Sequence, residues 1–548
     1  MSLFRGHWVG MLLFLIILLG AFFRFYQLAD IPYGLFPDES VNGINALQVI
    51  HSGEIKLFYP ENNGREGLFI NIQAISVWLF GAHAWALRLV SAVFGTLAIW
   101  GIYLAARETL LLFLSRGTKS NQSYFAKYVN SETAIVSISL LAAFFTSASF
   151  WHINFSRIGF RAIMLPFMAS FAVYWLLKSL RTGGLISAAL AGTFAGLGLH
   201  TYIAFRFVPF FLSVPLVNYT WLWLKNRELY RRIPLAILTF LILAFLAAAP
   251  MLIYFYQNPS DFTGRTSDVS IMTADSPLLE FIKSNILTLV MFNIWGDCNA
   301  RHNYDCRSQL LWPVGLAFIA GIYFMADSFR KESSAVNMPF VLLAVWFGVM
   351  TLPATLTREG LPHALRSIGL IPPVMITAGL GAWTAYRIAA KNHETLSRIV
   401  LWAGIIFVTL FGYYSYFHQF ADSAKTKAGF RFDLTEIADA VASLPKSADK
   451  YVIANYPNLP YGMPIEANVV QFLTDTAGAE EQNAKNLHYI LAQDLPRLEI
   501  ADTAKKQVIF IPLNQENASS IAAELEARFP NLKLQTQKTA GGITVLSN

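Results

Sequence analysis

Charge is scarce in this chain and cysteine scarcer: of 548 residues 14% are charged and two are cysteines, against 55% hydrophobic residues. A mean hydropathy of +0.46 excludes an ordinary soluble domain, which carries roughly 25% charged residues. Several catalytic signatures are missing as well. No Asp-x-Asp occurs, so the acidic bracket that holds a metal against a nucleotide-sugar is absent. There is no Gly-x-Ser-x-Gly elbow, no Walker-type glycine loop and no Cys/His set at zinc spacing. No internal repeat or low-complexity tract is found, and no charged residue stands inside an apolar run in the way an ion pathway requires.

What remains is apolar and aromatic. Runs able to cross a bilayer, which takes about 20 residues, fall near 8–26, 84–106, 132–151, 162–178, 185–200, 206–224, 233–255, 310–327, 339–356, 367–386 and 399–417. They predict a mainly α membrane protein with about eleven transmembrane helices, its 13 Trp and 22 Tyr suited to repeated crossing of the interface. No small-x-small cleavage site follows the first run, so it is read as a retained span with a cytoplasmic N-terminus rather than a cleaved signal. The inner segments then hold Arg5, Arg107, Arg116, Lys119, Lys127, Lys178, Arg181, Lys225, Arg227, Arg231, Arg232, Arg330, Lys331, Arg387, Lys391 and Arg398, more cations than the longer outer loops carry. That bias fits the orientation, and the net charge of +7 needs no nucleic acid to explain it.

The expected organisation is a membrane domain over 1–417 and a soluble domain over 418–548. Two long outer loops, 27–83 and 256–309, interrupt the first. "ESVNGINALQVI" and "GLFINIQAISVWLFG" in the earlier loop read as interfacial helices. After residue 418 the composition turns soluble. "DLTEIADAVASL", with Asp433 as N-cap, and "NQENASSIAAELEARFP" read as helices; "KYVIAN", "KQVIFIP", "LKLQTQ" and "ITVLSN" read as strands. An odd number of spans makes this small α/β domain extracytoplasmic. Cys298 and Cys306 then lie in an oxidising compartment, where a disulfide is expected rather than two free thiols.

The chemistry-bearing residues gather on the outer side. Asp38 and Glu39 follow Pro37 at the start of a helix ending at Gly53; taken alone they read equally as first-turn acids opposing a helix dipole. Beside them stand Arg65 and Glu66, Arg157 and Arg161, His200, Tyr202 and Arg206, Arg301 and His302, and His363 and Arg366. A single arginine at a span end reads first as an interfacial anchor. Five such clusters on one face, next to two carboxylates, describe instead a cavity for a phosphorylated lipid headgroup, guanidinium forks on phosphate and a carboxylate as base.

The segments "FPDES", "FSRIGFRAIMLP", "GLHTYIAFRFVP", "WGDCNARHN" and "LPHALRSIGLIPP" resemble bacterial relatives of the dolichyl-phosphate-mannose protein mannosyltransferases and lipid A aminoarabinose transferases, membrane glycosyltransferases of the GT-C fold. The resemblance runs from Met1 to about Phe417. It implies a sugar donor on polyprenyl phosphate and a glycan, lipid or protein acceptor, used on the extracytoplasmic side of the cell membrane. Asp38 matches the family's catalytic aspartate, the general base of an inverting displacement, and Glu39 the second acid. Arg65, in "REG" without the family's neighbouring proline, with Arg301 and Arg366, would bind the donor phosphate. Glu66, Arg157, Arg161, His200, Tyr202, Arg206, His302 and His363 would line the substrate cavity. Without an acidic bracket, cations must stabilise the leaving phosphate, so no metal or other cofactor is expected. The transferred sugar, hexosyl or pentosyl, is left open.

Two other readings compete. A lipid-linked sugar flippase or transporter should show broken helices mirrored between two halves, with polar groups near midplane. An O-antigen-type ligase or polymerase would place its working residues in a large late loop, whereas this chain has its acidic pair in the first.

Overall fold

The computed structural model describes residues 2–115, 123–268, 270–357, 360–456, 463–500, 507–530, 532, 534–539 and 541–548. Arg116 and Lys119 lie outside the described residues, as does the side chain of Arg5. Every expected span falls on a helix. Among the described residues eight helical stretches are long and apolar enough to cross a membrane: His7–Phe25, Ala84–Phe113, Arg161–Thr182, Ile203–Lys225, Ile233–Gln257, Trp312–Lys331, Asn337–Thr355 and Ile368–Phe420. The last contains two of the expected spans, since its helix Ile371–Tyr414 breaks at His393, whose φ of −141° and ψ of 59° are not helical. The two remaining expectations fall on the shorter apolar helices Glu132–Ala148 and Leu185–His200.

The chain forms two compact units. The first comprises Met1–Leu28, Lys56–Phe69 and Ser91–Phe420. Between lipid-like surfaces the hydrophobic effect drives little helix association, so small residues that let backbones approach do much of the packing. Gly192 and Gly196 do this for Leu185–Leu197: a Cβ at either would run into the carbonyl of Phe240 or Ala244 on Ile233–Gln257. Gly381 lies likewise against the Ala317 carbonyl of Trp312–Lys331. Within this unit a short antiparallel pair, β1 (Phe58–Tyr59) and β2 (Arg65–Glu66), sets Arg65 opposite Tyr59.

The second unit combines Ala29–Ile55, Ile70–Val90 and Ala421–Asn548. Its sheet contains β3 (Asp449–Ala454), β4 (Leu487–Leu491), β5 (Val508–Pro512), β6 (Gln535–Lys538) and β7 (Thr544–Ser547), in the order β4-β3-β5-β7-β6. β3 runs parallel to β4 and β5, and β7 antiparallel to β5 and β6. The continuous apolar run of β3 and β5 reflects burial on both faces. Tyr451, Ile453, Val508 and Phe510 pack with Ile521 and Leu525 of helix Ala518–Arg528. Val452, Ala454, Ile509 and Ile511 face a second cluster containing Ala46, Leu47, Leu434, Val470 and Phe472.

That second cluster receives the helix Pro37–Ser52. Its start is set by Pro37 at the first helical position and its end by Gly53, left-handed at φ 72°. Gly43 lies so close to the Phe472 ring that any side chain there would displace it. Two details correct the sequence reading. Asp433 is not the N-cap of Phe432–Ser443, a place taken by Arg431; it sits in the first turn and pairs with Arg431 at 2.8 Å. And β4, "LHYIL", is a strand the sequence reading left out.

Candidate functional site

In the second unit, Glu39 is the fixed point. Its carboxylate is fully buried and receives Arg88 through two contacts, Nε to Oε1 at 3.0 Å and a terminal nitrogen to Oε2 at 3.2 Å. Oε2 also accepts the backbone N–H of Phe36 at 3.3 Å, which ties the carboxylate to its own helix start. Arg88 completes the arrangement by donating to the carbonyls of Pro32 at 2.7 Å and Gly34 at 2.5 Å. The loop before the helix is thus wrapped around one guanidinium. Asp38, half-buried on the first turn, inherits its position from this loop. Arg88 escaped the sequence reading. The available signal was a lone arginine in the apolar run "AWALRLVSAV".

In the first unit, the expected residues fall into two groups and one outlier. Glu66 accepts from Arg161 Nε at 2.7 Å, and Arg161 also donates to the Gly64 carbonyl at 3.2 Å and lies over the Tyr202 ring at 5.7 Å. Arg65, buried on β2, donates to the Glu61 carbonyl at 3.2 Å and lies 5.9 Å from the centroid of Tyr59. His200 contacts the Ala247 carbonyl at 2.9 Å, and Arg206 donates to the Phe262 carbonyl at 2.8 Å.

The second group is built on Asp297, also missed in sequence although it is the only acid in "WGDCNARHN". One carboxylate oxygen, Oδ2, meets His302 Nδ1 at 2.8 Å and accepts the Ala364 N–H at 2.8 Å, joining the loop around 297–306 to the loop around 361–367. Asn154 donates to the Arg301 carbonyl at 2.7 Å, and the His302 and His363 rings lie 5.0 Å apart. Arg366 donates to Thr357 Oγ1 at 2.6 Å. Cys298 and Cys306 are disulfide-bonded and close the first of these loops. Burial lowers the pKa of His302; Asp297 opposes that, while Arg301 and Arg366 add to it. The ring is therefore neutral at neutral pH. Asp297, His302 and His363 each offer one ligand atom within 4.8 Å of the others, the group among the described residues that could hold a metal ion.

The outlier is Arg157. It is fully buried, donates to the carbonyls of Phe23 and Gln27 at 3.0 Å each, and stacks on Tyr416 and Phe417. These are the carbonyls at the end of the first helix, which have no intrahelical donor, so its task is to secure that helix end. Arg24 is buried beside it in the same manner, donating to Gly20 and Ser147 carbonyls and meeting His152 Nδ1 at 2.6 Å.

The apolar helices and the small C-terminal sheet have the GT-C fold. Solved structures similar to this chain include two forms of ArnT from Cupriavidus metallidurans. The crystal structure bound to undecaprenyl phosphate matches with a TM-score of 0.56 at 12% identity, over 99% of this chain and 98% of that one. The apo form matches with a TM-score of 0.53 at 13% identity over the same shares. No family model matches the sequence, and no curated protein matches it.

Two outcomes are expected. Arg88→Met leaves the Glu39 carboxylate buried and unpaired and costs about 3–5 kcal/mol, measured by thermal or denaturant unfolding; Arg88→Lys recovers part of the loss. For His302, the depressed pKa means that the unfolded chain binds the proton more readily. Its contribution to stability is present above pH 6.5 and is lost as pH falls below it. The melting temperature should fall between pH 7.5 and 5.5, and His302→Gln should flatten that fall.

Proposed function

We propose that this chain transfers a sugar from a polyprenyl-phosphate donor to a glycan, lipid or protein acceptor at the extracytoplasmic face of the cell membrane, with its N-terminus in the cytoplasm. The observation that carries the reading is a cavity of about 260 Å³ in the first unit, with Arg366 and Thr357 beside apolar walls that include Tyr202, Phe207, Leu352 and Leu356. A guanidinium at the margin of an apolar cavity suits a molecule that is a phosphate at one end and an isoprenoid at the other. The shared fold with an enzyme crystallised with undecaprenyl phosphate supports the same class of ligand.

In this reading the acceptor hydroxyl attacks the anomeric carbon of the donor sugar. Its proton passes to the Asp38 carboxylate, the bond from that carbon to the phosphate oxygen breaks with inversion, and polyprenyl phosphate leaves. The charge growing on the leaving oxygen is met by arginine, Arg366 first, with Arg65 and Arg301 as further donors. Glu39 is a positioning residue, because Arg88 and Phe36 occupy its carboxylate. Guanidinium groups supply the positive charge that other glycosyltransferases take from a metal, and we propose that turnover is metal-independent.

The test is consumption of a polyprenyl-phosphate sugar by purified protein with an extracytoplasmic acceptor pool. Asp38→Asn should slow turnover by about 10²–10⁴-fold, the range for losing a general base, while leaving the melting temperature within a degree or two. Equal consumption by wild type and variant would remove Asp38 from the mechanism, and movement of intact donor across the bilayer without transfer would favour a flippase. Turnover should survive chelation. If it is abolished and divalent ions restore it, the arginine-only account is wrong, and His363→Ala would show whether the Asp297 group holds the ion.

A further inference from the structure

The first unit contains another cavity, of about 230 Å³, that shares no lining residue with the one at Arg366. Its walls are apolar: Phe145, Leu311, Met375, Val408 and Phe411 are among them. Two polar side chains in its lining do not fit that surface. Gln309 is 3% exposed, and among the described residues neither its amide oxygen nor its amide nitrogen has a hydrogen-bond partner. A terminal nitrogen of Arg307 is likewise buried without an acceptor.

Arg307 is held by the Phe150 ring, 4.1 Å from its guanidinium carbon, and no carboxylate among the described residues pairs with it. Burial pushes its pKa down to about 10, so it is still a cation at neutral pH. Buried polar groups in folded proteins are nearly always partnered, and buried charges nearly always paired. Three unpaired buried atoms on two residues that line one cavity call for an outside group that accepts from a guanidinium and exchanges hydrogen bonds with an amide.

The surroundings give the rest of that group. The cavity lies where the end of Glu132–Ala148, the start of Trp312–Lys331 and the last turns of Ile371–Tyr414 converge. Trp312, on its margin, is 63% exposed, as expected of an aromatic at the level of lipid headgroups. The polar side chains therefore stand at headgroup depth and the apolar walls lie along hydrocarbon. We propose that this cavity binds an anionic phospholipid, its phosphate on Arg307 and Gln309 and an acyl chain against Phe145, Val408 and Phe411. The ligand is distinct from the sugar donor, and the proposal stands whether or not the chain is a transferase.

The experiment uses the full chain in nanodiscs of equal phosphatidylglycerol and phosphatidylcholine, with retained lipid identified by native mass spectrometry after release. Wild type should keep phosphatidylglycerol in preference. Arg307→Met, which removes a charge-assisted bond, should weaken that retention about tenfold or more. Gln309→Leu keeps the side chain's shape and should weaken it about threefold to tenfold, the effect of one neutral hydrogen bond; it carries the test if Arg307→Met does not fold. Equal retention of the two lipids by wild type, or wild-type preference in the variants that fold, overturns the proposal. Inorganic phosphate at millimolar concentration should not displace the lipid; if it does so completely, the site recognises a bare anion and the acyl-chain assignment fails.

Discussion

The buried pairing of Glu39 with Arg88 fixes the local geometry on which the proposed chemistry depends. Neither charge would survive in that environment alone, because desolvation of an unpaired ion costs several kcal/mol. The pair is satisfied almost completely: Arg88 has a carboxylate and two loop carbonyls, and Glu39 has a guanidinium and a backbone N–H. Such an arrangement tolerates little displacement, since each bond constrains the next. The outcome is a helix start on which the half-buried Asp38 takes its position from the loop that Glu39 and Arg88 hold.

Guanidinium groups recur in this role through the first unit. Arg157 holds the carbonyls at the end of the first helix, and Arg24 bridges that helix to the carbonyl of Ser147. At the other end of the spans, Arg181 makes two bonds of 2.9 Å to the buried carboxylate of Glu108. In a medium without water, backbone groups released at a helix end must find partners inside the protein. Arginine is suited to this because its donors are numerous, fixed in a plane and always charged. The same residue type thus serves architecture and, in the proposed reading, the binding of phosphate, and only the identity of its acceptors separates the two.

That double use explains where the sequence was legible. The helices were plain from their apolar runs, including the pair that meets at His393, and the β3 and β5 strands from their branched and aromatic residues. "LHYIL" was not, because its histidine and flanking polar residues hide a strand whose partners lie elsewhere in the chain. Among site residues, the clustering of Arg301, His302, His363 and Arg366 was visible as motifs. Asp297, which joins them, was not, since nothing in one dimension brings residue 297 to residue 364. Arg88, Arg157 and Arg307 show the limit most clearly. An arginine near the end of an apolar run carries no mark of whether it meets a carboxylate, a helix end or an open cavity.

The shared oxygen of Asp297 has a mechanical consequence. Because the same atom holds His302 and the N–H of Ala364, the loop closed by the Cys298–Cys306 disulfide and the loop carrying Arg366 cannot be displaced independently. Tension applied at Arg366 is transmitted within two residues to that oxygen and from there to His302. The two loops behave as one stiff body, so whatever engages either of them finds both already ordered and loses little further freedom on arrival.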